Sequence, residues 1–561
     1  MALTNYDIAD QFSLLSKLMD IHGENSFKTK SYSIAAFTIE KLPEQLSAMD
    51  EDKIFAIKGI GNTIGKKIME MRNTGELPVL KDYIRKTPPG VIEMLNIKGL
   101  GPKKIATVWK EMEIESIGEL MYACNENRLL LYKGFGEKSQ NNIRETIDFY
   151  LKNQGSHLYG EIENYVLAID KKLKESFAGK KIELTGEWRR QLEIIDRLEW
   201  ITTASLKDVS SFFEKNGFVA DARPSEKADR FILKGPENIQ LSVDEVDEGS
   251  FYRRLFESSC SNEFLKGWQK EPGEENTKTY TSEEEIFSAK NIHFIPAFER
   301  EKATVIEKAR QQALSAVIQP TDIKAIIHSH SNWSDGSNTI EEMAKASIEK
   351  GYEYLVLSDH SKSAFYANGL TEERIREQHH HIDELNQKLS PFKIFKSIEC
   401  DILNDGNLDY SDNILSTFDL VITSIHSNLK MTEDKAMMRL LRAIENPYTT
   451  ILGHMTGRLL LSRPGYPVNH KKIIEACATN RVVIELNAHP RRLDIDWRWI
   501  DYALEKNVLI SIDPDAHSIE GYHDVRYGTL VAQKAGLTKD KNLSSFSLQQ
   551  IESFLTQNKK A

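Results

Sequence analysis

The chain has 561 residues, 40% hydrophobic and 28% charged, with a formal net charge of −11. That length exceeds what one hydrophobic core holds and implies about three to five domains of ordinary globular composition. The acidic balance excludes a uniformly basic nucleic-acid binder but leaves room for local basic patches. No stretch is apolar for long enough to span a bilayer, and the opening Met1-Ala2-Leu3-Thr4 lacks the basic and apolar blocks of a signal peptide. Cys124, Cys260, Cys400 and Cys477 form no Cys-x-x-Cys pair and imply no disulfide framework, so a reducing cytoplasm is the expected location.

In chain order, the first clear element is an amphipathic helix from Ser26 to Leu42, whose Lys28 and Lys30 are either phosphate contacts or simply solvated. Three segments then share one design: Ile57-Lys58-Gly59-Ile60-Gly61, Ile97-Lys98-Gly99-Leu100-Gly101 and Tyr132-Lys133-Gly134-Phe135-Gly136. Each is an apolar-x-Gly-apolar-Gly turn leading into a helix, and the first two helices open with the lysine pairs Lys66-Lys67 and Lys103-Lys104. These are helix-hairpin-helix motifs: glycines let the backbone turn tightly and approach a ligand, and the next helix aims its first amides at phosphate. Contacts of this kind go to the DNA backbone and carry little sequence preference. The third copy is the least basic and reads as a structural partner of the second. Residues 1–84 resemble the small N-terminal DNA-binding domain of family X DNA polymerases, and 85–152 resemble their fingers. No lysine stands out as a Schiff-base nucleophile for abasic sugar phosphates.

Residues 153–235 alternate helix and strand: a helix from Tyr159 to Glu175, a strand near Lys181–Thr185, then Gly186-Glu187-Trp188-Arg189-Arg190-Gln191-Leu192-Glu193. The segment resembles the palm of the same polymerases, whose pattern reads Gly-Ser-x-Arg-Arg-Gly and then Gly-Asp-x-Asp. Gly186, Arg189, Arg190 and Glu193 match, and Glu187 and Gln191 depart. The two catalytic Asp positions fall on Arg197 and Glu199, and the third falls near Gln240. Nucleotidyl transfer needs clustered carboxylates around two magnesium ions. A cation, a longer carboxylate and a neutral amide do not supply them, so polymerisation and palm-bound magnesium are not expected. Asp196, Asp244 and Asp247 are the carboxylates that would rescue it. The nucleotide-binding turn is likewise replaced, by Glu257-Ser258-Ser259-Cys260. Residues 236–318 read as thumb-like and linker, with a polar loop over 272–281.

From 319 to 561 short apolar runs end on His or acid: His328-Ser329-His330, Asp359-His360, Glu399, His426, His454 and Asp513-Pro514-Asp515-Ala516-His517, with Asp335 in Trp333-Ser334-Asp335-Gly336. Helical stretches lie between them, at Ile340–Lys350, Glu372–Lys388 and Lys435–Glu445. Strand then helix, repeated about seven times, is the signature of a parallel barrel or doubly wound sheet, and in a barrel the strand ends converge on one mouth. Imidazoles and carboxylates without thiolates suit catalytic zinc, manganese or iron, and their number exceeds the needs of one ion. The set resembles, in order and context, the PHP (polymerase and histidinol phosphatase) domain in the version attached to bacterial family X polymerases. That resemblance implies one ion on His328, His330, Glu399 and Asp515 and a second on Asp335, His360 and His517. Glu399 would bridge to a third on His426 and His454. Arg458 is either a phosphate ligand or half of a structural salt bridge. Two departures flank the ligands: Ile326 where the family carries an acid, and Met455 where it often carries Pro. The run His379-His380-His381 reads as a solvated helix face.

The expected architecture is an all-α helix-hairpin-helix region, an α+β nucleotidyltransferase-like palm and thumb, and a C-terminal α/β PHP barrel of distorted TIM-like form. The expected function is metal-dependent 3′-5′ hydrolysis of DNA at gaps or primer termini, with two or three divalent ions. The rivals are a gap-filling polymerase using other carboxylates, a small-phosphomonoester hydrolase and a non-catalytic DNA-binding scaffold.

Overall fold

The computed structural model describes residues 3–125, 128–152, 155–220, 230–235, 238–272, 279–312, 314–461 and 464–558. Most of the polar loop expected over 272–281 lies outside them. The chain divides into two compact units, Met1–Gln154 and Gly155–Ala561. No helix among the described residues is long and apolar enough to cross a membrane.

The first unit is helical. Helix Asn5–His22 starts at a capping box between Thr4 and Asp7 and stops at left-handed Gly23. It packs on helix Ser26–Glu40 through Phe12, Leu15, Tyr32 and Ala36, part of one core that continues to Ile147. The three hairpins follow as helical pairs: Glu51–Ala56 with Asn62–Thr74, Pro89–Glu93 with Pro102–Lys110, and the turn Arg128–Leu131 with Glu137–Lys152.

The second unit begins with a five-stranded mixed sheet ordered Ile182–Thr185, Arg197–Thr202, Gln240–Glu245, Arg230–Lys234, Val219–Ala220. Helices Tyr159–Ser176 and Leu206–Lys215 bury Val166, Leu173, Val209 and Phe213 against Leu198, Trp200, Leu241 and Val243 of the sheet. A small helical layer follows, centred on Phe256, Phe264, Trp268 and Phe287.

The rest is a barrel of seven strands in sequence order, all parallel: Ala325–Ile326, Tyr354–Leu357, Lys393–Asp401, Leu420–Ser424, Thr449–Leu452, Val483–Asn487 and Ile510–Asp513. Strand alternation divides its apolar residues into two sets. Ile327, Val356, Phe395, Ile422, Ile451 and Val483 cluster with Ile551 and Leu555 of the last helix, while Ile326, Leu355, Ile398, Leu452 and Ile512 join the layer shared with the outer helices. A bridge between Ser329 and Ala516 joins the segments that follow the first and last strands.

Candidate metal centre and nucleic-acid interface

That bridge lies between two ligand-bearing segments. The His330 amide donates to the Ala516 carbonyl at 2.8 Å, and the Ala516 amide to the His328 carbonyl at 3.2 Å. His328 and Asp515 both adopt left-handed backbone, φ +59° and +52°. Such conformations cost about 1–3 kcal/mol each in non-glycine residues and persist where surrounding contacts over-determine them.

All nine expected donors meet at this mouth. Glu399 is at the centre: its carboxylate lies 2.9 Å from His360 Nδ1, 3.0 Å from His426 Nε2, 2.9 Å from His454 Nε2 and 3.3 Å from His328 Nε2. Asp515 lies 3.1 Å from His330 Nε2, and Asp335 lies 3.6 Å from His360 Nε2 and 3.4 Å from His517 Nε2. Three groups hold donor atoms close enough for a shared ion: His330, Asp335, His360 and His517; His328, His330 and Asp515; and His360, Glu399 and His426. His330 therefore faces two groups, and its ring stacks 4.3 Å from both His360 and His517. His330 Nδ1 is buried without a hydrogen-bond partner, and His328 Nε2 and Glu399 Oε2 lie against polar neighbours without a well-directed bond. Buried polar atoms are nearly always satisfied, so a cation fits as the missing partner.

Among themselves, the buried charges push the imidazoles in opposite directions, His328, His426 and His517 upward and His330 downward. Burial works against the ionised form of Glu399, yet the surrounding histidines hold its carboxyl well below the usual range. Burial and the charges of His517 and His360 push His330 down to about 3, the neutral form that a metal requires. Burial opposes the charged form of His426, but Glu399 and Asp401 outweigh it and lift the imidazole to about 10.

Outer partners aim the donors. His426 Nδ1 lies 2.6 Å from Asp401, His328 Nδ1 lies 2.9 Å from Glu485, and Asn487 donates to Asp515 at 3.0 Å. Such contacts fix the tautomer and ring orientation of metal ligands. Sequence reading missed Asp401, although it lies two residues past Glu399 and so on the same face of one strand. Asp359 does not join the donors. It accepts from the Ser331 amide and from the side chains of Ser331, Ser334 and Gln378, tying down the turn that presents Asp335. Gly336 belongs to that turn, where a Cβ would fall 2.1 Å from the His330 carbonyl oxygen.

Arg458 does not present its guanidinium as a phosphate ligand. It donates to Asp496 at 2.7 Å and to the carbonyls of Arg492 (2.9 Å) and Leu493, which is the structural alternative. The cation beside the donors is Arg492, 3.7 Å from Asp515. Ile326 and Met455, the two departures, are buried in the layer between strands and outer helices. His379 is not a solvated residue: it packs edge-on to Phe418 at 4.9 Å, and burial lowers it to about 4, leaving His380 as the most exposed of the run.

The palm positions make a different picture. Arg197 stands opposite Gln240 in the parallel pair, with Glu199 two residues on. The Glu199 carboxylate fills the space over Gly186, where a Cβ would fall 1.8 Å from its Oε2. Glu187 accepts from the amides of Asp196 and Arg197. Arg189 is bound to Ser259 and Glu283, and Arg190 to Glu301 at 2.9 Å. Asp196 accepts from Ser156, Asp244 pairs with Arg254 and Asp247 caps Ser250. Among the described residues, none of them joins Glu199 in a cluster of three potential metal ligands.

The palm also braces the barrel. Buried Glu193 accepts from Trp497 Nε1 at 3.1 Å and Arg498 at 3.0 Å. From the barrel side, the fully buried ammonium of Lys534 donates to the Arg190 carbonyl at 2.6 Å and to Glu301 at 3.1 Å.

In the first unit, Gly59, Gly99 and Gly134 take φ of +95°, +88° and +94°, which residues with a Cβ rarely adopt. Gly61 and Gly101 occupy the N-cap positions of the following helices and cap nothing with a side chain, so first-turn amides are open to an anion. A Cβ at Gly61, Gly101 or Gly136 would meet nothing within 4 Å. Lys66 and Lys103 are exposed and Lys67 is half-buried. Lys104 instead reaches the third hairpin, donating to Ser139 at 2.7 Å and lying 5.3 Å from the Phe135 ring.

Three family models match parts of the chain. A helix-hairpin-helix domain model matches residues 3–77, a SAM-like helix-hairpin-helix tandem matches 91–148 and a PHP domain model matches 327–489. The chain is 32% identical to the DNA polymerase/3′-5′ exonuclease PolX of Bacillus subtilis (strain 168), over 98% of this chain and 99% of that one. A probable phosphatase of Thermoanaerobacter sp. (strain X514) is 25% identical over 42% of this chain and 97% of its own length. The probable phosphatase YcdX of Escherichia coli O81 (strain ED1a) is 25% identical over 29% of this chain and 62% of its own.

Proposed function

The chain belongs to the family X DNA polymerase/3′-5′ exonucleases that carry a PHP domain, and from that premise we propose that it hydrolyses DNA from 3′ ends at the barrel mouth while its palm no longer polymerises. The observation that carries this reading is the contrast between eight donors in three ligand groups, with His454 against Glu399, and palm positions Arg197, Glu199 and Gln240.

Donor chemistry favours manganese, zinc or iron, held by the three groups around His330, Asp515 and Glu399. Bound divalent ions supply an activated water and neutralise phosphate charge. The protein's own residues orient the donors through Asp401, Glu485 and Asn487. Arg492, beside Asp515, replaces Arg458 as the candidate phosphate ligand. The first two hairpins would hold the DNA backbone near a gap or primer terminus through open amides and Lys66, Lys67 and Lys103. Domain limits of 1–84, 85–152, 153–235, 236–318 and 319–561 fit these roles.

The probable phosphatases similar to the barrel favour a second reading, hydrolysis of small phosphomonoesters. One experiment separates the readings: a labelled primer–template with a one-nucleotide gap, in manganese, with and without dNTPs, beside p-nitrophenyl phosphate. Shortening that His328→Ala His330→Ala abolishes is the expected result. Extension that survives that double substitution would overturn the silent palm. Turnover of the small ester with the primer untouched would favour the phosphatase reading.

A further inference from the structure

The loop that follows the second barrel strand opens at Ser361 and returns at Leu370, where a bridge between the two closes it. The Leu370 amide donates to the carbonyl of the donor residue His360 at 2.9 Å, so the loop is rooted at the mouth. Its interior is packed: Ala364 and Ala367 are each 1% exposed, and Leu370 is fully buried. Phe365 at its tip is 88% exposed, and no other large apolar side chain among the described residues is as open to water. An isolated exposed ring is ordinary on a protein surface. This one is set apart by how rigidly it is held and by what holds it.

The supports of the metal donors clamp the loop from two sides. Ser363 donates its hydroxyl to Asp401 at 2.6 Å and its amide to Asp409 at 2.7 Å. Asp401 is the carboxylate that aims His426. On the other side Asn368, in left-handed backbone, donates to the Trp333 carbonyl at 3.2 Å. Arg374 ties that same carbonyl to the carbonyl of Asn368. Trp333 stands two residues before Asp335. Gly369 presses against the loop's own root, where a Cβ would fall 1.9 Å from the Ser361 carbonyl oxygen. The loop therefore links the supports of Asp335 and His426, which belong to different donor groups.

The distance is short. The Ala364 amide donates to the Ser361 carbonyl. The ends of such a turn lie within about 7 Å, which keeps the Phe365 Cα within about 15 Å of the His360 Cα. A strand whose last phosphodiester lies at the donors carries its terminal base one sugar away. Phosphate has no use for an apolar ring, whereas every base has a face that stacks on one. A ring already fixed in place loses little freedom when a base meets it.

We propose that Phe365 is a specificity-determining residue: its ring stacks on the base of the 3′-terminal nucleotide while that nucleotide's 5′ phosphate lies at the donors. The proposal rests on the reading of the mouth as a 3′-5′ DNA hydrolase and adds the part of the nucleotide that is recognised besides phosphate.

The test uses the full chain in manganese and two primers that differ only in the last nucleotide, thymidine or a base-free tetrahydrofuran. Two small diesters repeat the comparison, thymidine 5′-(p-nitrophenyl phosphate) and methyl p-nitrophenyl phosphate. Calorimetric binding of thymidine 5′-monophosphate adds a readout without turnover. Stacking of one base on one ring alters binding by about five- to 150-fold. The native chain should therefore favour the base-bearing member of each pair by at least about fivefold. Phe365→Ala should remove that preference through KM rather than kcat, weaken the monophosphate by a similar factor, and slow the base-free members by less than about twofold. Phe365→Trp should keep the preference and Phe365→Leu should lose it. The ring is exposed, so the fold should survive, and an unchanged circular dichroism spectrum and metal content check it. Equal losses on both members of each pair, no loss on either, or a leucine variant that behaves like the native chain would overturn the stacking and leave the hydrolase reading intact. A native chain that shortens neither primer and cleaves neither diester would overturn that reading and the proposal together.

Discussion

The palm and the barrel mouth both bring strand residues to one place, and they differ in what fixes those residues. In the palm, the register of Arg197–Thr202 against Gln240–Glu245 is secured by Leu198, Trp200, Leu241 and Val243 on the buried face. A sheet's register depends on its buried pattern, so its other face can carry Arg197, Glu199 and Gln240 without disturbing the backbone. At the barrel mouth most of the chemical residues are themselves buried, with His517 the exposed one. His328, His330 and Glu399 are fully enclosed, and each outer partner is a carboxylate or amide with its own place in the strands. Removing one donor there leaves others as unpaired buried charges. A fold can outlast the chemistry on an accessible sheet face, whereas chemistry built into a buried layer is bound to the packing around it.

The largest effect that sharpens this contrast is expected at Glu399, which touches four imidazoles. Glu399→Gln should slow primer shortening by about a thousandfold, the scale of several kcal/mol of metal-borne charge stabilisation, in a single-turnover assay. An effect below about tenfold would mean that the chemistry lies elsewhere.

Next comes Lys534, where the palm meets the barrel. Burial lowers its pKa from 10.5 to about 8, with Glu301 pulling the other way. Between those values the unfolded chain binds a proton that the folded chain lacks. Stability should therefore rise with pH from about 8 to about 10.5, by about 3 kcal/mol in full, and Lys534 should contribute no pH dependence below that window. Lys534→Met should remove the rise when unfolding midpoints are compared at about pH 7.5 and about pH 9.5. An unchanged slope would separate Lys534 from this linkage.

Asp401 tests the aiming of the donors. Asp401→Asn should weaken metal affinity by about 10–100-fold, read by competition with a chelating dye, while the unfolding midpoint stays near that of the native chain. The smallest effect is expected in the palm: Glu199→Gln should change primer shortening by less than about twofold, and neither protein should extend the primer. Extension by the native chain that Glu199→Gln abolishes would break the comparison outright.

Much of the barrel was legible because most apolar runs ended on a donor and several of the helices between them carry their own start signal. Thr339, Thr371 and Thr432 cap helices beginning at Ile340, Glu372 and Glu433, close to the expected starts. The hairpin glycines were legible because only a few backbone shapes use Gly-x-Gly before a helix. What escaped depends on distance along the chain. The bridge from Ser329 to Ala516 has no local signature, and neither does the pairing of Arg458 with Asp496. His379 looked solvated among three consecutive histidines until Phe418, from another element, covered its ring. The clustering of His330 with both Asp515 and Asp335 likewise needs the closed mouth, because chain order alone cannot say which strand ends are neighbours.

The brace between palm and barrel bears on how far this chain can be shortened. Glu193 is a buried carboxylate whose two partners, Trp497 and Arg498, come from the barrel. Lys534 is a buried ammonium whose acceptors, Glu301 and the carbonyls of Arg190 and Phe298, come from the other side. A cut near 318 would open both contacts to water at once and strip the 497–498 segment of its footing, a few residues along from Arg492. The palm thus acts as a keystone: whatever its state as a catalyst, the barrel leans on it, and an isolated barrel is a different object from the one that stands in the whole protein.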